Sequence, residues 1–421
     1  MVGNLRSSRF PLGARVRLAD QAVDPYPTFA ELRAAEPVTW VPEIECWFLT
    51  RRDDMLAVLR DPDLFTTDAP STIRDMFGVH MMTTEGPTQI RYKRKCLPPF
   101  HVSRLESASL PRLKAEVERL VRALGWGGRH AGEVRTEVAR PVALHSVLSV
   151  LGIPLSETER VNEWYEHFAR ALANFAGDPD LRAAGKGAAD AFGRALEPIL
   201  EQLARKPNET LLSDLVCDHV DPLTAEEIRS NALIILFGGI ETTESMIANA
   251  VWALLSHPEQ IETARSRADA LDLAIEETLR WEPAVQSAAR HATRDTEIRG
   301  VRIAEGEVVH CMLGAANRDP AYFQDPDRFD VTRRNAGDHL SFAVGRHFCL
   351  GAPLARLETR VVLETLWSRC PGLRLDPHRP GAPYGYEFRK PKTLCSGTPD
   401  AGGRQQSVPQ WAATRRVRIP M

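Results

Sequence analysis

The chain is poor in lysine: of its 53 basic residues only seven are Lys and the rest are Arg, a bias that points to a GC-rich bacterial genome. Fifty-six acidic residues leave a formal net charge of −3, so no excess of one sign is available to hold a nucleic acid or an anionic membrane. Long apolar runs are missing as well. The first residues carry Arg6, Arg9, Arg15 and Arg17 without the apolar segment of a signal peptide or a membrane anchor. Cysteine is sparse, with seven residues at 46, 96, 217, 311, 349, 370 and 395. Their number is odd and their spacing is that of neither a disulfide framework nor a zinc site. These absences predict a soluble, cytoplasmic protein in a reducing compartment, without nucleic-acid or membrane partners. At 421 residues the chain can bury a large core, and no linker divides it.

The patterns that are present predict a mainly α protein with a small β portion. Residues 1–25 read as an irregular arm, 27–41 as a helix and strand, and 46–52 as a second strand of a hairpin. Residues 53–65 read as a helix ending at Asp61-Pro62, and 66–84 as a loop, either an ordinary surface loop or a roof over a pocket. Residues 85–105 hold the densest basic run, Arg91, Lys93, Arg94 and Lys95. From 111 to 205 the pattern is helical with short breaks. Within it, 161–175 is amphipathic with Phe168, Leu172 and Phe175 on one face. Strands follow around Gly300 and Gly306.

Three stretches carry chemistry. His339 to Arg356 reads HLSFAVGRHFCLGAPLAR, and Cys349 falls where a loop enters a helix. Unpaired amides and the helix dipole there favour a thiolate. Gly345 and Gly351 permit a close approach to something flat and bulky. Such a thiolate suits an axial ligand to haem iron; a buried structural cysteine beside a helix cap is the alternative. Residues 224–256 form the longest apolar helical pattern, opened by a Thr224/Glu227 capping box. Gly238-Gly239 at its middle costs on the order of 1 kcal/mol per glycine, so a kink and a groove are expected there, beside polar Glu241, Thr242 and Thr243. Residues 271–295 carry Glu277-x-x-Arg280, opposite charges on one helix face, followed by Pro283, Gln286, Ser287 and Arg290.

Together these stretches resemble the cytochrome P-450 monooxygenases over about residues 20–394. Phe342-x-x-Gly345-x-x-x-Cys349-x-Gly351-x-x-Leu354-Ala355 is similar to the family's haem signature, with Ala343 standing where a second Gly is frequent. Gly238-Gly239-Ile240-Glu241-Thr242 resembles its oxygen-activation motif, Glu277 and Arg280 its buried structural pair, and 316–333 the meander before the haem loop. The resemblance implies a monomeric, triangular, prism-like haem domain over 1–394; beyond it, 395–421 has Gly, Pro, Gln and Arg without periodicity and reads as a disordered tail. It implies haem b, held by Cys349 as the metal ligand and flanked by Phe342, Gly345, Gly351, Gly238 and Gly239. Arg290 and His347 are expected at the haem propionates. Gln89 and Lys93 stand where many bacterial members have His-x-x-x-Arg contacting a haem propionate, and the resemblance implies that they bind the cofactor there. Thr242 is expected to hydrogen-bond dioxygen and Glu241 to link it to solvent protons. Arg328 is expected to join the Glu277–Arg280 pair. Phe77, Phe168, Ala171, Phe175, Ile234, Phe237, Gln286 and Ser287 are the substrate-pocket candidates.

The activity implied is insertion of one oxygen atom from dioxygen into a small organic substrate. Electrons would come from NAD(P)H through a ferredoxin reductase and a ferredoxin docked on the basic proximal face. Secondary-metabolite tailoring is the first reading of the substrate, and terpenoid or fatty-acid catabolism the second. A haem-thiolate peroxygenase or isomerase, or a silent haem-binding protein, would have no use for the Glu241-Thr242 pair.

Overall fold

The computed structural model describes residues 2–124, 132–175, 177–266, 269–379 and 381–397. Helices dominate and strands are few and short. The hairpin expected near the start forms from Val38–Val41 and Cys46–Leu49, with Trp40 opposite Trp47. Cys46–Leu49 runs parallel to Val308–Met312, which pairs antiparallel with Ser287–Ala292, and Phe65–Thr66 closes the five-stranded sheet. The strand carrying Ser287 and Arg290 is therefore an interior strand with partners on both sides.

Two segments expected to be irregular are ordered by contacts that no local pattern reveals. Residues 1–25 contain helices Val2–Arg9 and Leu18–Val23. The Glu36 carboxylate accepts the N–H groups of Leu12 and Gly13 at 2.9 and 3.1 Å, and Phe10 packs edge-on against Trp47 at 5.2 Å. Inside 66–84 the helix Thr72–Phe77 forms, its first turn capped by the Ser71 hydroxyl.

The long helix spans Ala225–Ser256 behind the expected capping box. It continues through Gly238-Gly239 rather than breaking there. Packing explains this, because the helix is buried along most of its length. Its first half, to Ile240, belongs to one apolar cluster with Phe77, Phe168 and Phe192. Its second half, from Met246, belongs to another with helices Leu110–Ala123 and Ala352–Arg369. The run Glu241-Thr242-Thr243-Glu244-Ser245 is the polar seam between the two cores.

At the C-terminal end, Cys395–Gly397 is not tail. It is the central strand of a three-stranded sheet, paired with Gly132–Glu133 and Arg374–Leu375. The rest of the expected tail, 398–421, lies outside the described residues. Helix Thr158–Leu172 stops short of Phe175, so Phe175 does not share a helical face with Phe168 as the periodicity suggested.

Candidate functional site

Cys349 sits in a loop tied down from two sides. Its own N–H donates to the Phe342 carbonyl at 3.0 Å. From helix Gly86–Cys96, the Lys93 ammonium donates to the carbonyls of Arg346 and Phe348 at 2.7 and 2.9 Å, and the Gln89 amide donates to Arg346 at 3.1 Å. Lys93 and Gln89 thus brace the loop through its backbone. Gly345 has a φ of 75°, and a Cβ there would lie 2.8 Å from the Leu59 carbonyl oxygen. Ala343 also has a positive φ, 54°, at the position where a glycine was missing. Phe342 lies under the Arg356 guanidinium, 4.6 Å from its ring centre.

The expected bias of Cys349 towards thiolate is overridden in the chain by itself. Burial pushes its thiol pKa up, against the N–H groups of Gly351 and Ala352 and the charges of Lys93 and Arg356, which pull it down. Yet Cys349 keeps accessible surface. A side chain that is both deeply enclosed and accessible lies on the wall of an interior space. Among the described residues no group of three His, Cys, Asp or Glu is placed to hold a metal.

The long helix shows the same character along one stripe. Ile235, Gly238, Gly239 and Thr242 are only half-buried while most residues around them are buried. A Cβ on Gly239 would meet Val147 at 2.7 Å, whereas one on Gly238 would meet open space. The Thr242 hydroxyl donates to the Gly238 carbonyl at 2.5 Å, back across one turn.

Glu241 does not face solvent. It accepts hydrogen bonds from the Tyr165 hydroxyl and from Lys390, the latter at 2.8 Å. Lys390 also reaches Glu244 at 3.2 Å, and Glu244 is paired with Arg135 and Arg140 at 2.7 and 3.0 Å. Burial and the two carboxylates raise the Tyr165 pKa well above its ordinary value, so it remains a donor. Tyr165, Lys390, Arg135 and Arg140 escaped sequence reasoning because they come from three distant segments.

Two cationic residues were expected together. Arg290 is buried, donates to its neighbour Ala289 at 2.7 Å and forms no ion pair among the described residues. His347 bonds Glu85 at 2.8 Å and Thr67 at 3.3 Å. The residues present fit a haem: an accessible enclosed thiol, a glycine with open space beside it, and a buried guanidinium with donors to spare.

The Glu277–Arg280 pair is fully buried and bidentate at 2.7 and 2.8 Å. Arg280 spends its other donors on the carbonyls of Asn317, Pro326 and Arg328. The third member is Arg333, whose Nε lies 3.1 and 3.2 Å from the Glu277 oxygens. Arg328 was expected in that role and contributes only its carbonyl, because its side chain points outward. Neighbouring Glu276, missed in the sequence, makes a second clamp to Arg356 at 2.6 and 2.8 Å and to His339 at 3.2 Å.

Several pocket candidates touch one another. Phe77 packs on Phe168 and Phe237 at 5.1 and 6.0 Å, and Phe237 on Phe388 at 5.7 Å. Ala171 and Ile234 are buried in the same cluster. Phe175 is exposed and packs on Tyr386 at 5.2 Å. Gln286 donates to the Pro283 carbonyl at 2.8 Å, and Ser287 bonds Glu387 and His310.

Comparison with known proteins places this geometry. The cytochrome P-450 family model matches residues 179–372. The chain is 36% identical over 369 residues to the monooxygenase PikC of Streptomyces venezuelae, covering 85% of this chain and 86% of that protein. It is 34% identical to the 6-deoxyerythronolide B hydroxylase of Saccharopolyspora erythraea, covering 84% and 90%. Among solved structures, the BioI cytochrome P-450 in complex with a hexadec-9Z-enoic acid-ligated acyl carrier protein superposes with a TM-score of 0.83 at 30% identity, covering 90% and 99%. CalO2 superposes with a TM-score of 0.82 at 32% identity, covering 91% and 98%.

Proposed function

Because this chain belongs to the cytochrome P-450 family and is a monooxygenase of that family, we propose that it inserts one oxygen atom into a small apolar metabolite in a tailoring step of secondary metabolism. The observation that carries this reading is Cys349, an enclosed but accessible thiol at a helix N-terminus, in a loop braced by Lys93 and Gln89. The relative named for acting on 6-deoxyerythronolide B favours that substrate class.

The family implies a haem-thiolate iron, which when bound supplies the binding and reductive activation of dioxygen. In this reading the haem is haem b. Cys349 Sγ would hold the iron, Arg290 and His347 would hold the propionates, and the open space beside Gly238 would leave room for the group. His347 would exchange Glu85 for a propionate, while Lys93 and Gln89 keep the loop in place. Thr242 Oγ1, on the accessible stripe of the long helix, would pass protons toward dioxygen by releasing its hydrogen bond to the Gly238 carbonyl. Glu241, one residue earlier and away from solvent, would resupply them by way of its hydrogen-bond partners Tyr165 and the part-buried Lys390. The aromatic cluster of Phe77, Phe168 and Phe237 keeps bulk water away from the reaction.

The same reading makes residues 1–394 one haem domain, extended by the strand to Gly397. Leu350, which packs against both cores flanking the long helix, supports it. Among the described residues no helix is long and apolar enough to cross a membrane. The electron donor is an acidic ferredoxin reduced by a NAD(P)H-dependent reductase. Its docking uses the exposed Arg346 and the exposed Arg94, which Asp221 holds only at 3.6 Å, since Arg91 and Lys95 are committed more closely to Asp221, Asp218 and Glu227.

Spectra and coupling test the reading. Cys349→Ala should lose the thiolate-type carbon monoxide difference spectrum of the reduced enzyme. Thr242→Ala should consume NAD(P)H while product per NAD(P)H falls about tenfold. Tight coupling in Thr242→Ala would remove Thr242 from the proton path.

A further inference from the structure

Among the buried glutamates, Glu241, Glu244, Glu276, Glu277 and Glu282 each meet a Lys or Arg side chain. Glu358 does not, but it is packed between helices with hydrogen bonds to Ser146 and Thr243, and burial pushes its carboxyl pKa up to about 8. Glu387 is different from both kinds. It forms no ion pair among the described residues, yet it keeps accessible surface. Burial pushes its carboxyl pKa up to about 7 despite hydrogen bonds from the Ser287 hydroxyl and N–H. Enclosed but accessible, Glu387 lies on an interior wall, as Cys349 does.

Its surroundings orient it. The Ser287 hydroxyl donates to Glu387 Oε2 at 2.8 Å and lies 2.9 Å from His310 Nδ1. The hydroxyl's single proton goes to the carboxylate, so His310 donates from Nδ1 and its Nε2 is left as an acceptor. Burial and the charge of His291 push the His310 pKa down to about 4, so the ring is neutral. The backbone fixes the rest: Gln286 N–H donates to the Glu387 carbonyl at 2.9 Å, and Val285 bridges Phe388. The residues on either side, Tyr386 and Phe388, pack on the pocket candidates Phe175 and Phe237. The nearby cations are spoken for, Arg389 by Glu282 and Lys390 by Glu241 and Glu244. What remains at this wall is the acceptor Nε2 of His310, the neutral Tyr386 hydroxyl and Cys46 thiol nearby, and a carboxylate without a counter-ion, beside an aromatic cluster.

We propose that Glu387, oriented by Ser287 and His310, is the specificity-determining residue that receives a protonated amine on an otherwise apolar substrate. A carboxylate unpaired in a low-dielectric wall gains most from a ligand that brings both the charge and the N–H donor. The inference rests on the monooxygenase reading above and names the substrate class for it.

The test is calorimetric binding to the haem-loaded enzyme of three probes of one shape: N,N-dimethylphenylbutylamine, phenylbutanol and phenylbutyrate. The hindered tertiary amine disfavours direct coordination to iron, and the absorption spectrum reports any that occurs. The wild-type enzyme should bind the amine about tenfold more tightly than the alcohol, with phenylbutyrate weakest. Glu387→Gln should abolish the preference for amine over alcohol while alcohol affinity moves less than about threefold. Should Glu387→Gln fail to take up haem, Ser287→Ala serves instead, and there the preference should fall several-fold. An unchanged amine-to-alcohol ratio in either variant, or wild-type enzyme binding the alcohol or phenylbutyrate as tightly as the amine, overturns the proposal. The carbon monoxide spectrum of the wild-type enzyme is read separately. Its failure would strike the haem-thiolate reading, whereas the amine preference strikes only the role of Glu387.

Discussion

Ala343 shows how one residue can carry the cost of a loop's shape. Its φ of 54° lies in the left-handed region, where a Cβ costs roughly 1–2 kcal/mol. A glycine would remove that strain and lose about 0.4–1 kcal/mol through the greater freedom of the unfolded chain. Ala343→Gly should therefore stabilise the protein by about 0.5–1 kcal/mol, read as a higher urea midpoint at unchanged slope. A lower midpoint would mean that the Ala343 methyl makes contacts worth more than the strain. The departure from the family signature was visible in the sequence, but its consequence was not, since a composition of letters does not state which residue of a loop turns left-handed. Cys349 was legible for the opposite reason, because its spacing to Gly345, Gly351 and Leu354 is local. Glu387, Lys390 and Glu276 were not, because each gains its meaning from partners far away in the chain.

At the scale of elements, helix Ala270–Trp281 is a two-sided clamp. Glu277 holds the meander through Arg280 and Arg333, and Glu276 holds the helix behind Cys349 through Arg356. Removing one partner of a buried ion set leaves charge uncompensated, so Arg333→Ala should cost about 2–3 kcal/mol of stability. Arg328→Ala, which removes only an exposed side chain, should stay within about 0.5 kcal/mol. Equal losses in the two variants, measured by urea unfolding of the haem-loaded protein, would return Arg328 to the clamp. The Glu277-x-x-Arg280 pair could be read from sequence because both members share one helix. The choice between Arg328 and Arg333 could not, since it depends on how the meander folds its carbonyls around Arg280. Likewise the boundaries of the long helix followed from its capping box, whereas its continuity through Gly238-Gly239 followed from the cores on either side.

Across the whole molecule the charge is arranged rather than abundant. The basic run of helix Gly86–Cys96 looks like a docking patch in the sequence, but Asp218 and Asp221 neutralise much of it. Arg346, exposed one turn from Cys349, is left as a cation for an acidic electron donor. Reversing it should matter more than deleting a paired charge: Arg346→Glu should lower the apparent affinity for reduced ferredoxin about tenfold at low salt, with the loss shrinking as salt is added. Arg91→Ala should leave that affinity within about twofold. The opposite order, measured by stopped-flow reduction at two ionic strengths, would move the docking face back to the basic helix. The polar seam between the two cores has a consequence in time. Lys390 lies 149 residues after Glu241, so a chain emerging from the ribosome exposes both seam carboxylates long before their lysine exists. Arg135 and Arg140 are already made and can hold Glu244, but Glu241, which has only the Tyr165 hydroxyl until then, must wait for Lys390 to emerge. The nascent protein thus has a built-in late step, in which the antiparallel pair of Pro383–Tyr384 and Lys390–Pro391 closes over the middle of the long helix and balances the charge of the interior.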